Sequence, residues 1–491
     1  MPFFNLPIDI LLLFTITTPA IGWLLSKAGR EGLSGVYALV GLALSGVALY
    51  QTYAGLTSSG PAQTQATGLF SAVLSTDMLS IFMTTIFIGL GVAITIYSLR
   101  YMEREGGKFL YYAMILAMVS GMTGVVFAGD LFTLFVFWEL MSISSYVLVS
   151  FHREKWEPVE AGFKFLIMGV AGSATALFGM SLLYGMAGTL NFGGLANAFS
   201  QTASGPWLWV ALLFIIAGFG VKAAIVPLHT WLPDAYSAAS APISAILAGV
   251  VTEVGIYALA RTFFSAFLSI QAQWVPILAV LSVLTMVVGN VSAILQDDLK
   301  RLLAYSSIGQ IGYMLTGLAV GTQLGLTGTF LQLFNHALMK GTAFLCAGAI
   351  AYRLGTGDLK SMDGVGRKMP VTTVILSISM FALIGMPPLN GFISELTLFT
   401  ASAQANMAWL GISIILNSAI SAVYSLRVIR ALMQSGNGNG NGAMEKVKEA
   451  PLLMLVPICI MGALIVLFGV WPDPLIRFAQ QAAAALLHFA G

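Results

Sequence analysis

Apolar runs of about 20 residues recur from one end of this chain to the other. A helix of that length crosses the ~30 Å hydrocarbon core of a bilayer, since each residue adds about 1.5 Å along the axis. Of the 491 residues, 58% are hydrophobic and 9% are charged, and the mean hydropathy is +0.90. A soluble protein of this size needs far more surface charge. The sequence therefore predicts an all-α polytopic membrane protein.

The apolar runs divide into about fourteen candidate transmembrane helices. Their approximate limits are 8–26, 34–55, 76–98, 110–128, 131–151, 161–186, 206–228, 240–260, 273–295, 301–322, 325–352, 370–402, 407–433 and 451–471. The N-terminus has no basic region before its apolar run, which we expect to be a permanent span and not a cleaved signal peptide.

Basic residues cluster in alternate connecting loops. Seventeen of the 22 lysines and arginines fall in the odd-numbered loops: Lys27, Arg30, Arg100, Arg104, Lys108, Arg153, Lys155, Lys300, Arg301, Arg353, Lys360, Arg367, Lys368, Arg427, Arg430, Lys446 and Lys448. The opposite side holds only Arg261 and Arg477. The positive-inside rule predicts a cell-membrane protein with the odd loops in the cytoplasm and both termini outside.

Two predicted spans contain glycines and prolines together with one ionisable residue. They are GFGVKAAIVPLHTWLPDA in span 7 and ALIGMPPLNGFISEL in span 12. An offset of five spans inverts the orientation, and such paired segments are typical of inverted-repeat transporters. We divide the chain into helices 1–3 (1–109), a first repeat of helices 4–8 (110–267), a second repeat of helices 9–13 (268–433), a flexible Gly/Asn linker (434–450) and helix 14 with an interfacial tail (451–491).

Seven ionisable side chains lie inside predicted spans, where a charge costs about 2.5–3.5 kcal/mol even on the lenient insertion scale. They are Glu139, Lys164, Lys222, Glu253, His336, Lys340 and Glu395. Their spread over six helices favours a proton path over ion pairs that only fix helix packing. Lys164 lies close to the start of its span and is expected to snorkel to the surface. The other six are the candidate proton-relay residues.

The local context suggests a role for each candidate. Lys222 lies in the interrupted span 7, where freed backbone groups can hold water, and an ammonium carries a proton but cannot coordinate Na⁺. Glu139 heads a polar stripe on span 5. His336 and Lys340 are four residues apart on one helical face, and Glu395 follows the break in span 12 as a terminal acceptor. These contexts predict a relay of acids and bases near the middle of the membrane.

Six stretches resemble the antiporter-like subunits of respiratory complex I, of Mrp-type cation/proton antiporters and of membrane-bound hydrogenases. The motifs are FWELMSISSY, AGFKFLI, VKAAIVPLHTWLPDAYSAA, GNVSAILQDDLKRLLAYSSIGQIGYM, NHALMKG and MPPLNGFISE. The resemblance implies two inverted five-helix repeats with broken helices 7 and 12, and a Glu139–Lys222 pair coupled to a central hydrated axis. It also implies a proton-translocating subunit that works with other membrane subunits, including further antiporter-like ones, and leaves open whether Na⁺ is exchanged.

One position departs from the resemblance. Members of this family usually carry a lysine in span 8, in a context like LLTKVGIYAL, where this chain has Glu253. We hypothesise that Glu253 bridges Lys222 and Lys340, so that an acid between two bases replaces the central lysine.

Two other classes of function are alternatives for such a chain. A stand-alone secondary transporter would bind a small solute at the broken helices. A redox protein would need ligands for a haem or an iron–sulfur centre, but the histidines are isolated and the two cysteines are far apart. These residues are His152, His229, His336, His488, Cys346 and Cys459. We therefore predict no cofactor, no metal and no redox centre in the chain itself, and the small net charge of +2 makes nucleic acid an unsuitable partner.

Overall fold

Helices make up nearly all of the described chain, which comprises residues 6–59, 64–66, 73–103, 105–201, 205–434 and 447–488. The structure is a computed structural model. Within these residues, ten helices are long and apolar enough to cross a membrane, and the apolar helices Pro206–Lys222 and Pro370–Leu383 are shorter. The predicted class, an all-α polytopic membrane protein, is confirmed, while the count of fourteen spans stays a prediction.

The described N-terminal part consists of seven helices and a short hairpin. Its elements are α1 (Pro7–Lys27), α2 (Leu33–Ser59), β1 (Thr64–Ala66), β2 (Val73–Ser75), α3 (Met78–Tyr101), α4 (Lys108–Phe127), α5 (Leu131–Val149), α6 (Trp156–Ala187) and α7 (Phe192–Gln201). Strands β1 and β2 pair antiparallel. Asp77 and Asp130 begin α3 and α5 as N-caps, because each carboxylate accepts a hydrogen bond from a backbone amide in the first helical turn.

The next segment passes through the centre of the subunit. It contains α8 (Pro206–Lys222), α9 (Trp231–Ala238), α10 (Ala241–Ile246), a π-helical turn (Leu247–Val251) and α11 (Thr252–Ala266). Every residue of α11 is buried, including its charged ones. Helix α11 therefore contacts protein on all sides, and its polar groups are removed from lipid.

The remaining helices complete the bundle. They are α12 (Gln271–Ile294), α13 (Leu299–Val320), α14 (Gln323–Leu354), α15 (Val365–Lys368), α16 (Pro370–Leu383), α17 (Asn390–Gln404), α18 (Ala408–Met433), α19 (Leu452–Val470) and α20 (Asp473–His488), with 3-10 turns at Leu268–Ile270 and Leu359–Met362. A Cβ on Gly289 of α12 would overlap the backbone of Gly309 on α13. Glycine thus lets these two helices approach closely, as is common between spanning helices.

The predicted flexible linker is anchored at its far end. Residues 435–446 lie outside the described residues. Glu449, near the end of the predicted linker, accepts hydrogen bonds from Val371 N at 2.8 Å and Thr372 Oγ1 at 2.6 Å. Its carboxylate therefore caps the N-terminus of α16, where a negative charge is stabilised by the helix dipole.

Candidate functional site

The six predicted relay residues lie on five helices. They are Glu139 on α5, Lys222 on α8, Glu253 on α11, His336 and Lys340 on α14, and Glu395 on α17. The two lysines, the histidine and Glu253 are at most 3% exposed. The other two acids are partly buried. All six are thus held inside the bundle.

The first interruption falls directly after Lys222. Helix α8 ends at this residue, and α9 begins at Trp231. Ala224 takes a left-handed conformation (φ 54°), and Pro227 has no amide hydrogen to continue a helix. The indole Nε1 of Trp231 donates a 2.7 Å hydrogen bond to the carbonyl of Val221. The break therefore keeps this carbonyl paired, as is required at membrane depth.

The ammonium of Lys222 is held by one hydroxyl group and two aromatic rings. Its Nζ donates to Ser145 Oγ at 3.3 Å. The same nitrogen lies 5.0 Å from the ring centre of Tyr146 and 4.7 Å from that of Phe165. Aromatic faces attract cations, most strongly where water is excluded. Sequence analysis did not identify Ser145, although it follows Glu139 on the same helix.

Glu139 influences Lys222 through its charge and not through a direct ion pair. The carboxylate exerts a Coulomb interaction on the ammonium. Oε1 of Glu139 is buried without a hydrogen-bond partner among the described residues. The Glu139–Lys222 relation implied by the family resemblance is therefore electrostatic in this structure.

Glu253 pairs with a histidine and with neither lysine. Its Oε1 lies 2.9 Å from Nδ1 of His336, and neither side chain is exposed to solvent. The π-helical turn at Leu247–Val251 directly precedes α11, and the hydroxyl of Tyr236 donates to its Leu247 carbonyl at 2.8 Å. Such turns commonly occur at functional sites, where they shift the side chains that follow. The predicted bridge from Glu253 to Lys222 and Lys340 is not a direct contact in the described structure.

Lys340 points toward α13 instead. Its Nζ donates a 3.0 Å hydrogen bond to the carbonyl of Leu303 and a second one to the hydroxyl of Ser306. Lys340 lies one turn after His336 on α14, and the two groups interact electrostatically. The central site thus consists of a carboxyl–imidazole pair with a lysine beside it.

The second interruption brings Glu395 against the backbone of the break. Helix α16 ends at Leu383, whose carbonyl accepts a 3.1 Å hydrogen bond from Gln310 Nε2. Gly385 follows in a left-handed conformation (φ 79°), and a Cβ at this position would overlap the Glu395 carboxylate. Ser418 Oγ donates to Glu395 Oε2 at 2.7 Å. Glycine is therefore required here both for the turn and for the approach of the acid.

Hydroxyl and amide groups continue from Lys340 onto the neighbouring helices. Ser306, which binds Lys340, also interacts with the hydroxyl of Tyr424. Tyr424 donates to Asn290 Oδ1 at 3.0 Å, and Asn290 Nδ2 donates to Asn417 Oδ1 at 3.2 Å. These groups lie on α12, α13 and α18, so the connection crosses three helices.

The same connection ends at Glu395. Asn290 interacts with the hydroxyl of Tyr313, and that hydroxyl lies 3.4 Å from Ser418 Oγ, which binds Glu395. None of these linking residues was singled out from the sequence. The only available signal was an asparagine inside an apolar span, as at Asn290 and Asn417.

Lys164 lies at the surface, as its position near the start of a span indicated. It is 50% exposed and pairs with Glu160 at 2.9 Å and with Asp234 at 3.1 Å. Among the residues that the structure describes, no group of three or more His, Cys, Asp or Glu side chains could hold a metal ion. The absence of a cofactor stays a prediction.

Comparison with known proteins decides the family. A sequence profile described as "NADH:quinone oxidoreductase/Mrp antiporter, TM" matches residues 128–421. The chain belongs to this family. The matched region includes both interrupted helices and all six candidate residues of this NADH:quinone oxidoreductase/Mrp antiporter family member. The resemblance indicated by the motifs is therefore confirmed.

Relatives in the family match along most of their length. F(420)H(2) dehydrogenase subunit N of Methanosarcina mazei is 34% identical over 431 residues, which are 86% of each chain. NADH-quinone oxidoreductase subunit N of Desulforudis audaxviator is 37% identical over 411 residues, covering 80% of this chain and 81% of the relative.

Solved structures of large membrane complexes contain chains with this fold. A chain of the membrane-bound sulfane sulfur reductase, an archaeal respiratory membrane complex, superposes with a TM-score of 0.87 at 27% identity, covering 98% of this chain and 97% of the other. A chain of the Mrp complex from a Dietzia species gives 0.85 at 23% identity, with 97% of each chain covered. The fold of the whole subunit is therefore shared with chains of multi-subunit assemblies.

Proposed function

We propose that this chain is the proton-translocating, antiporter-like subunit of an energy-converting membrane complex. The observation that supports this most strongly is the set of buried ionisable groups at Lys222, at the Glu253–His336 pair and at Lys340. Charges inside the membrane are costly, so they are kept mainly where transport needs them. Relatives named as subunits, and structural neighbours from the sulfane sulfur reductase, Mrp and complex I assemblies, support other membrane subunits as partners.

In the proposed mechanism Lys222 holds a proton at the first interruption. The Ser145 hydroxyl and the rings of Tyr146 and Phe165 stabilise its ammonium form in the absence of bulk water. Glu139 sets the electrostatic potential at this nitrogen. A change in the charge of Glu139 would therefore load or release the proton without any movement of the backbone.

The Glu253–His336 pair is proposed to hold the next proton. A carboxylic acid beside a neutral imidazole and a carboxylate beside an imidazolium differ only by the position of one proton over 2.9 Å. Oε2 of Glu253 and Nε2 of His336 have no hydrogen-bond partner in the described part of the chain. Each end of the pair can thus exchange a proton with a water molecule, so the pair can serve as a relay.

Glu395 is proposed as the terminal group of the path. Lys340 is connected to it through Ser306, Tyr424, Asn290, Tyr313 and Ser418. Hydroxyl groups both donate and accept hydrogen bonds, so they can pass a proton when water completes the chain.

Glu395→Gln tests the proposal at its exit. Glutamine keeps the size of the side chain and can still bind Ser418, but it cannot take up a proton. We expect proton translocation by the assembled complex in proteoliposomes to fall about tenfold or more, where complete loss of a positioned proton-transfer group costs roughly 10²–10⁴-fold. Glu157→Gln is the matched control, because Glu157 is exposed and lies outside the proposed proton path. Equal translocation by the two variants would reject Glu395 as the terminal acceptor.

We further propose that the subunit lies in the cell membrane with both termini outside, since basic residues cluster in alternate loops. A membrane-impermeant maleimide added to intact cells should label a cysteine introduced at position 2 and spare one at position 440. The experiment requires a background in which Cys346 and Cys459 are replaced by serine, because Cys459 is exposed on the helix surface. Labelling at position 440 alone would show that the subunit has the opposite orientation.

A further inference from the structure

A buried ion pair lies at the end of α11, away from the candidate relay. Nη2 of Arg261 is 2.5 Å from Oδ2 of Asp77, and the two side chains are 1% and 3% exposed. Asp77 is the N-cap of α3. The basic residue Arg100 lies at the other end of this helix, and Lys108 begins the next helix, α4. The sequence places Arg261 in a connecting loop, but α11 continues to Ala266 and buries it. The pair is therefore an internal feature on the side opposite the basic loops.

The pair continues a polar stripe that begins at the candidate relay. Glu253, Tyr257 and Arg261 follow one another at four-residue intervals on α11, which places Arg261 about 12 Å along the axis from Glu253. Nε of Arg261 donates to the Tyr257 hydroxyl at 3.0 Å, and that hydroxyl donates to the carbonyl of Val126 at 3.0 Å. The Tyr257 hydroxyl therefore lies on α11 between Glu253 and the buried pair.

The two members of the pair differ in what they can do with a proton. A guanidinium remains protonated in proteins and cannot accept another proton. Its positive charge, in a buried site, repels a proton that approaches through Tyr257. Asp77 could accept that proton if Arg261 did not neutralise it. The arginine thus separates two groups, Glu253 and Asp77, that would otherwise be steps of one path.

We propose that Arg261, fixed by Asp77, is an electrostatic seal that prevents a proton on Glu253 from escaping along α11. This inference rests on the proposed function in one respect, that Glu253 carries a proton during turnover. The seal directs the proton toward Lys340 and Glu395. Arg261 is thus a positioning residue for transport and takes no part in proton transfer itself.

The test measures passive proton entry without turnover. The assembled complex is reconstituted into proteoliposomes, a pH gradient is imposed without an electron donor, and internal pH is followed with a trapped dye. Arg261→Gln is expected to raise the leak several-fold above the wild type. Adding Asp77→Asn, Tyr257→Phe or Glu253→Gln to Arg261→Gln should lower the leak again, since each removes one step of the opened path. A purely structural role would not give this pattern.

A charge-retaining variant keeps the test decisive if Arg261→Gln fails to assemble. Arg261→Lys preserves a positive charge next to Asp77, so this complex should stay as tight as the wild type. A leaky Arg261→Lys complex, or a tight and fully assembled Arg261→Gln complex, overturns the seal. A leak in Arg261→Gln that persists after Glu253→Gln would show a proton route that bypasses Glu253. That result would overturn this inference. The proposed relay would still be tested separately, by proton translocation during turnover.

Discussion

Replacing Lys222 with alanine is expected to lower proton translocation by the assembled complex about 100-fold or more, because a positioned proton-transfer group contributes roughly 10²–10⁴-fold. Lys222 is buried at the end of α8, with a hydrogen bond to Ser145 and two aromatic rings around its ammonium. In the described structure no other basic side chain reaches this place. Alanine would leave the first interruption without a group that can hold a proton.

Glu139→Gln should have a smaller effect in the same assay. Glu139 acts on Lys222 only through its charge, so its loss changes the potential at the ammonium but leaves the proton carrier in place. We expect translocation to fall several-fold and not to vanish. The ordering of the two variants therefore separates the residue that carries the proton from the residue that tunes it.

The measurement is acidification of proteoliposomes during electron transfer by the purified complex. Lys360→Ala is a suitable lysine control, since Lys360 is 80% exposed and lies outside the proposed path. The amount of assembled subunit is checked in each preparation. Proton transport that survives Lys222→Ala unchanged would show that the proposed path is wrong.

Glu253→Gln is expected to block or uncouple pumping, with a loss of about 100-fold or more, as for Lys222→Ala. Glutamine can still bind His336 but cannot exchange a proton with it, so the 2.9 Å pair would lose its relay function. His336→Gln should act in the same direction, because it removes the other half of the pair. Electron transfer that continues without proton transport would show uncoupling, and its arrest would show a block.

Glu253→Lys should not restore proton transport, although family members usually carry a lysine at this position. A lysine here would face His336, with Lys340 one turn further along α14, and neighbouring positive charges destabilise one another. The competing explanation is a static Glu253–His336 pair that the proton bypasses. Near wild-type transport in a well-assembled Glu253→Gln complex would favour that explanation.

The sequence predicted the fold class and the first interruption because both depend on local signals. Apolar runs of spanning length define membrane helices wherever they occur. The interruption after Lys222 follows from the proline and glycine in the same segment. The family followed from motifs that the later comparison confirmed over residues 128–421.

Partners across the bundle could not be predicted in the same way. Glu253 and His336 are 83 positions apart, and nothing in either local segment selects one partner over a lysine. Serines and tyrosines are common in spanning helices, so the sequence alone could not identify Ser145, Ser306 or Ser418 as links. The sequence predicts a loop at Arg261 because a charged residue usually ends an apolar run, whereas Asp77 neutralises this arginine inside the protein.

The central claim is that protons move along the six candidate relay residues, and difference infrared spectroscopy of the working complex tests it most directly. A carboxyl group that gains or loses a proton changes its C=O stretching band during turnover. The account predicts a carboxyl signal in the wild type that disappears in Glu253→Gln and persists in the Glu157→Gln control. Identical difference spectra for the wild type and for an assembled Glu253→Gln complex would contradict it.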